Sequence, residues 1–239
     1  RAHGLSTRIV DITDVYDEFG AGEESAQALK DFLAYAHSSW ARAPRYVLLA
    51  GDGSLDPRGF MGPAGVAADQ IPVKLVDTKL METASDPWYA DVDGDMHPDF
   101  ALGRFPVRTP VEAQALVDKT VAYGSSARSG SMVVATDQND LFDFAGAGRS
   151  IARLAPNGMD VTTVDRARPN ARAKLLSAID AGPSVINYIG HGSVDLWRGG
   201  FFNSADAAGL TNTGHPAFLV ATTCLNGYFE DPNLDSLSE

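Results

Sequence analysis

A single cysteine, Cys224, supplies all the thiol chemistry of this chain, so no disulfide can form within it and the redox compartment stays open. Long apolar runs are missing as well: nothing approaches the ~18 consecutive apolar residues of a membrane-spanning helix. The opening residues, Arg1-Ala-His-Gly4, carry no hydrophobic signal core. Basic residues are scarce, 19 Lys and Arg against 31 Asp and Glu. The resulting net charge of −12 argues against nucleic acid or an anionic membrane as a partner. A phosphate-binding loop is disfavoured, because Gly51-Asp-Gly53 lacks the full Gly-x-Gly-x-x-Gly spacing and no helical pattern follows it.

What remains is an ordinary globular composition, 44% hydrophobic and 21% charged, in a chain of 239 residues long enough for one large core or two lobes. Ile9 to Tyr16 reads as a strand, Ser25 to Ala36 as an amphipathic helix with Leu29, Phe32, Leu33 and Ala36 on one face, and Pro44 to Ala50 as a buried strand. That strand–helix–strand opening predicts a parallel α/β lobe. Phe100 to Pro106 is a further strand. Thr109, Pro110 and Glu112 stand at the N-cap, N1 and N3 positions of a helix that ends near Tyr123-Gly124. The small polar stretch Ser125 to Ser131 marks a boundary between an N-terminal lobe, 1–124, and a C-terminal lobe, 125–239. The second lobe continues with strands at Met132–Thr136 and Gly158–Val164 and a helix at Asn170–Asp180.

The chemistry concentrates in two stretches. Ser184-Val-Ile-Asn-Tyr-Ile-Gly-His191-Gly-Ser193 and Ala217-Phe-Leu-Val-Ala-Thr-Thr-Cys224-Leu-Asn-Gly227 are β-branched apolar runs, each ending in a reactive side chain beside glycine. Such runs read as buried strands of a parallel sheet, and ligands bind beyond the carboxyl ends of those strands. Neighbouring strands would bring His191 and Cys224 to one edge, the arrangement of a thiol nucleophile and its base. A carboxylate of the loop after the Met132–Thr136 strand, Asp137 or Asp140, faces the same edge and can orient His191. Asp143 fits the N-cap of the helix starting at Phe144. Trp197, Phe201 and Phe202 suit either a pocket wall or the packing between two strands.

A second cluster lies at Asp91-Val-Asp-Gly-Asp-Met-His-Pro-Asp99, where Asp91, Asp93, Asp95 and Asp99 occupy positions 1, 3, 5 and 9 of a compact loop. The spacing suits convergence on a hard cation, Ca²⁺, as a structural metal. It suits equally an acidic turn whose aspartates hold backbone amides. It is no EF-hand, since Gly94 is at position 4 and Leu102 stands where Glu is needed.

Asn187-Tyr-Ile-Gly-His-Gly-Ser-Val-Asp-Leu-Trp197 and Thr222-Thr-Cys-Leu-Asn-Gly-Tyr-Phe229 resemble the His and Cys blocks of the gingipain-like cysteine peptidases, a family of the caspase-fold group. Tyr16-Asp-Glu-Phe-Gly20, Val47 to Gly53, Leu102 to Pro110 and Leu210-Thr-Asn212 are similar to other blocks of that family, so the resemblance covers nearly the whole chain from about residue 9. It implies a caspase-like three-layer α/β sandwich with mostly parallel sheets in two adjacent lobes. It further implies a cysteine endopeptidase acting on polypeptides, with Cys224 as nucleophile, His191 as proton shuttle, Asp137 as its orienter, the N–H groups of Gly192 and Cys224 as oxyanion hole, and no cofactor for catalysis. An extracellular, cell-surface or periplasmic location and flanking domains of a larger secreted protein follow from the same resemblance. Family members continue beyond the Cys block, and Ser236 and Glu239 stand at capping-box spacing without a helix after them, so a catalytic domain truncated at its C-terminus is expected. Two other readings fit the same scaffold: a non-catalytic caspase-like domain in secretion or assembly, and a sorting-type transpeptidase.

Overall fold

The structure, a computed structural model, describes residues 4–125 and 130–239, so part of the expected lobe boundary, 126–129, lies outside the described residues. The chain forms two compact units, 1–108 with 230–233, and 109–229 with 234–239. The division thus falls ahead of the Pro110 helix, which groups with the second unit, whereas the sequence suggested a boundary at 124/125.

The first unit opens with two helices, α1 (Ile12–Phe19) and α2 (Ala26–Ser39). The expected strand over 9–16 is therefore a helix from Ile12 onward. Ile12, Val15, Tyr16 and Phe19 recur at helical spacing, and Asp11 caps the helix by accepting from Thr13 N. Val15 and Tyr16 form its buried face. Ser25 caps α2 through the Ala28 amide. Next come β1 (Tyr46–Ala50), α3 (Pro63–Ala68), the short hairpin strands β2 (Leu75–Asp77) and β3 (Glu82–Ala84), α4 (Pro87–Ala90) and β4 (Ala101–Phe105). Strands β1 and β4 pair in parallel. Leu29 and Leu33 of α2, Leu49 of β1, Tyr89, Ala90 and Phe100 make the core of this unit. In contrast to the buried strand read from the sequence, β1 buries only Leu49, because its sheet has two strands and Tyr46 and Leu48 point away from α2.

The second unit begins with α5 (Pro110–Ser125), closed at its N-terminus by the reciprocal Thr109–Glu112 capping box. It continues through β5 (Ser131–Thr136), α6 (Phe144–Ala152), β6 (Asp160–Asp165), α7 (Ala171–Asp180), β7 (Val185–Ile189), α8 (Ser204–Ala208) and β8 (Phe218–Thr222). The four strands form one parallel sheet in the order β6-β5-β7-β8. Alternation along β5 sends Val133 and Ala135 into the core shared with Leu175 and Ile179 of α7, while Val134 and Thr136 face Gly148 of α6. Helices thus cover both faces, giving the α/β/α sandwich. A methyl at Gly148 would collide with Thr136, which is why a glycine lets α6 approach so closely.

The path of the chain fixes where chemistry can collect. From β5 it crosses through α6 to β6 on one side, then returns through α7 past β5 to β7. The connections leaving β5 and β7 therefore run in opposite directions, and a crevice opens beyond their carboxyl ends. His191 follows β7, and Asp137 and Asp140 follow β5. Strand β8, expected to be buried, is exposed at all five residues, because it is the edge of the sheet and pairs only with β7 among the described residues.

Candidate active site

Register decides which side chains meet at the crevice. Ile189 of β7 is level with Thr222 of β8, and Gly190 N donates to Thr222 O at 3.2 Å. His191 and Cys224 each lie two residues beyond this last paired row, at the same edge of the sheet. Gly192 packs onto the Cys224 turn: a methyl there would meet Thr223 Oγ1 at 2.5 Å and Cys224 O at 3.2 Å. Cys224 is a free, exposed thiol.

The backbone of His191 is held at both ends. Its N–H donates to Asp137 Oδ2 at 3.1 Å, and its carbonyl accepts from Tyr188 Oη at 2.7 Å and Arg198 N at 2.9 Å. Tyr188 is fully buried, and burial, followed by the nearby Asp137 charge, pushes its phenol well above the usual range, so it stays a donor. At Gly190 any side chain would collide with Asp137 and the Tyr188 hydroxyl, so only glycine lets the chain pass between them.

The imidazole itself meets Asp140, whose Oδ2 lies 2.9 Å from His191 Nε2. Asp137, the carboxylate expected to orient the ring, does not reach it. Asp137 is completely buried, with its oxygens taken by the amides of Gln138 and His191 and by the Arg166 guanidinium. The reason is the path of the chain. Asp137 N still follows the β5–β7 ladder, donating to Ile189 O at 3.0 Å, and its side chain is drawn under the His191 turn rather than over it. Asp140 also accepts from Arg198 at 2.8 Å on the same oxygen. The Phe142 amide, then Arg198, then His191 hold its carboxyl down to about 2, so it is an anion at neutral pH. Phe144 stacks edge-on against the imidazole, with ring centroids 5.2 Å apart. Asp143, as expected, caps α6 by accepting from Gly146 N at 2.9 Å.

With Nε2 donating to the Asp140 carboxylate, Nδ1 is the ring nitrogen left to take a proton, and it has no hydrogen-bond partner among the described residues. Gly192 sits at the non-hydrogen-bonded position of a small antiparallel bridge to Trp197, whose bonds run instead between Ser193 N and Leu196 O and between Arg198 N and His191 O. Its own N–H is thereby turned out of the ladder. The aromatics of the 194–213 segment are core and not pocket wall: Trp197, Phe201 and Phe202 are all buried, and Trp197 stacks on Tyr188 with centroids 3.9 Å apart. Arg166, Arg198, Tyr188 and Asn226 were not singled out from the sequence. Tyr188 and Asn226 left a signal there, Tyr188 standing in the His block and Asn226 in the Cys block.

In the first unit, Asp91, Asp93 and Asp99 bring carboxylate oxygens within 4.8 Å of one another. Asp95 stands outside this group and binds His97, through its amide at 2.8 Å and its ring at 3.4 Å. Asp91 accepts from Gly94 N and Met96 N, Asp93 from Asp95 N and Asp99 from Val92 N, so the carboxylates serve the turn as well. The oxygen-only donor set fits a hard cation through the lone pairs that remain. No helix among the described residues is long and apolar enough to cross a membrane.

Fold and site together define a caspase-like α/β sandwich with a cysteine and a histidine on one sheet edge. The model of peptidase family C25 matches residues 1–239, and the chain belongs to that family of gingipain-like cysteine peptidases. Gingipain R2 of Porphyromonas gingivalis is 23% identical over 241 residues, covering 95% of this chain and 29% of that protein. Gingipain R1 of the same organism is likewise 23% identical, over 95% of this chain and 22% of its own length. The chain thus spans less than a third of these curated relatives. Solved structures share the fold. The Arg-specific cysteine proteinase gingipain R (RgpB) has a TM-score of 0.68 at 22% identity, over 86% of this chain and 46% of that one. The complex of Porphyromonas gingivalis RgpB pro- and mature domains has a TM-score of 0.72 at 21% identity, over 93% and 50%.

Proposed function

We propose that this domain is a cysteine endopeptidase that cleaves polypeptides through a Cys224–His191 dyad. The observation that carries the reading is the β7–β8 register, which places His191 and Cys224 each two residues beyond the paired Ile189 and Thr222, with the ring held by an ionised Asp140. His191 Nδ1 takes the thiol proton, and the Cys224 thiolate attacks the scissile carbonyl carbon. The tetrahedral oxyanion is met by the outward N–H of Gly192 and by the N–H of Cys224. His191 then returns the proton to the departing amine, leaving a thioester on Cys224 that water hydrolyses with His191 as base. Asp137 takes no part in proton transfer in this scheme; it fixes the His191 backbone.

The exposure of Cys224 counts against a silent domain with a buried, unreactive thiol. The substrate class is polypeptide, met outside the cytoplasm, with flanking domains as neighbours in a larger protein. Asp140 and Asp143 are already engaged by Arg198, His191, Asn139 and Gly146, and no P1 preference is assigned to them. Hydrolysis of an unfolded protein such as casein, lost in Cys224→Ala and in His191→Ala, is the expected result. Undiminished cleavage by Cys224→Ala would overturn the assignment, and products joined to an added amine would move it to the transpeptidase. A structural Ca²⁺ held by Asp91, Asp93 and Asp99 belongs to the same reading. It predicts a melting temperature raised about 5 °C by saturating Ca²⁺ over chelator. An Asp91→Asn protein with the same rise would refute that site.

A further inference from the structure

We propose that Asn226 is a positioning residue that locks the turn carrying Cys224 to the turn carrying His191; this rests on the cysteine-peptidase reading above. Asn226 lies two residues beyond the thiol and is buried, with 6% of its surface exposed. Its Oδ1 accepts from Trp197 Nε1 at 2.8 Å, and its Nδ2 donates to Ser193 O at 2.6 Å, with Leu196 O a longer neighbour at 3.4 Å. The amide orientation follows from chemistry. An indole N–H can only donate and a backbone carbonyl can only accept, so the oxygen must face Trp197 and the nitrogen must face Ser193.

Both ends of this amide reach the His191 side of the crevice. Ser193 is two residues past His191. Trp197 is fully buried against Tyr188, their rings 6° from parallel, and the Tyr188 hydroxyl holds His191 O at 2.7 Å. On the other side, Asn226 N closes the thiol's own turn by donating to Cys224 O at 2.9 Å, and Ser238 N donates to Asn226 O at 3.0 Å. Leu225, between thiol and amide, is held at φ +61°, a left-handed conformation that a leucine keeps only where its surroundings impose it. The sheet register brings the two turns to one edge, and the Asn226 amide sets their spacing beyond it.

No common side chain replaces this amide. Aspartate keeps the acceptor for Trp197 but turns a carboxylate oxygen onto the Ser193 carbonyl. Alanine leaves the buried indole N–H unpaired and takes the donor away from the Ser193 carbonyl. Trp197→Phe removes the indole donor together with the pyrrole half of the ring, and keeps an aromatic face for Tyr188.

The test compares the parent with Asn226→Asp, Asn226→Ala and Trp197→Phe by casein turnover, by the pH dependence of Cys224 alkylation with iodoacetamide, and by amide hydrogen exchange of 192–198 and 223–228. The expected result is a kcat lowered about 100-fold in Asn226→Asp with KM little changed, as for a small misplacement of reacting groups. The alkylation profile should move toward that of a free thiol, with faster exchange in both segments together. Variants that melt at a lower temperature but keep the parent's kcat and alkylation profile would overturn the proposal, leaving Asn226 as packing alone. An unshifted thiol in the parent would count against the dyad itself. The lock is read separately in the exchange, where unchanged rates in both segments of Asn226→Ala would overturn it.

Discussion

Asp137 and Asp140 stand three residues apart and hold different parts of the same histidine. Asp137 fixes its backbone from beneath and neutralises Arg166; Asp140 faces the ring. Asp137→Ala leaves the Arg166 guanidinium and two amides without an acceptor, so it should cost about 3 kcal/mol of stability, read from urea unfolding. Asp140→Asn should leave the unfolding midpoint near that of the parent and lower turnover about 100-fold, since an amide no longer selects the ring tautomer with Nδ1 free. Equal effects of the two changes on stability would contradict this division. The pH dependence has a definite sign. The Asp140 carboxyl is lowered from 3.8 to about 2 on folding, so its contribution is complete above the unfolded value and is lost as pH falls through the folded one. Any difference in melting temperature between parent and Asp140→Asn should therefore close between about pH 4 and pH 2. Cys224 and His191 were legible in the sequence because each ends an apolar run beside glycine. Which carboxylate meets the imidazole was not, because it depends on the route of the 137–143 loop. The part played by Asn226 was not legible either, since its partners Trp197 and Ser193 lie some thirty positions away.

At the level of elements, close approaches carry the site. The Gly190 turn threads between Asp137 and Tyr188, and a methyl there has nowhere to go. Gly190→Ala should destabilise by up to about 3 kcal/mol and displace His191, seen as a lower urea midpoint together with lost turnover; a neutral effect on both would mean that the turn is looser than described. Two capped helices were readable in advance, as Thr109 and Asp143 each occupy the N-cap that their side chains suggest, while Ser25, read as the first residue of its helix, caps it. Helix α1 was not. Its β-branched opening, Ile9-Val-Asp-Ile-Thr, outweighed a helical repeat only eight residues long. Exposure of β1 and β8 was equally hidden, because an apolar run reports an unmixed strand and not how many layers cover it.

For the whole molecule, the parallel sheet and its switch point explain why residues from four strands' ends gather: Arg166 after β6, Asp137 after β5, His191 after β7 and Cys224 after β8. Alternation of strand and helix made this second unit readable from sequence, whereas the first unit, with its two opening helices and paired short strands, follows no such repeat. Membership of family C25 agrees with the fold. The central claim is that Cys224 and His191 act as a pair, and the most direct measurement is the rate of Cys224 alkylation by iodoacetamide against pH in the parent and in His191→Ala. The pairing predicts an apparent thiol pKa below the free value of about 8.5 in the parent, returning to it in the variant. A thiol that titrates at the free value in both proteins would contradict the account.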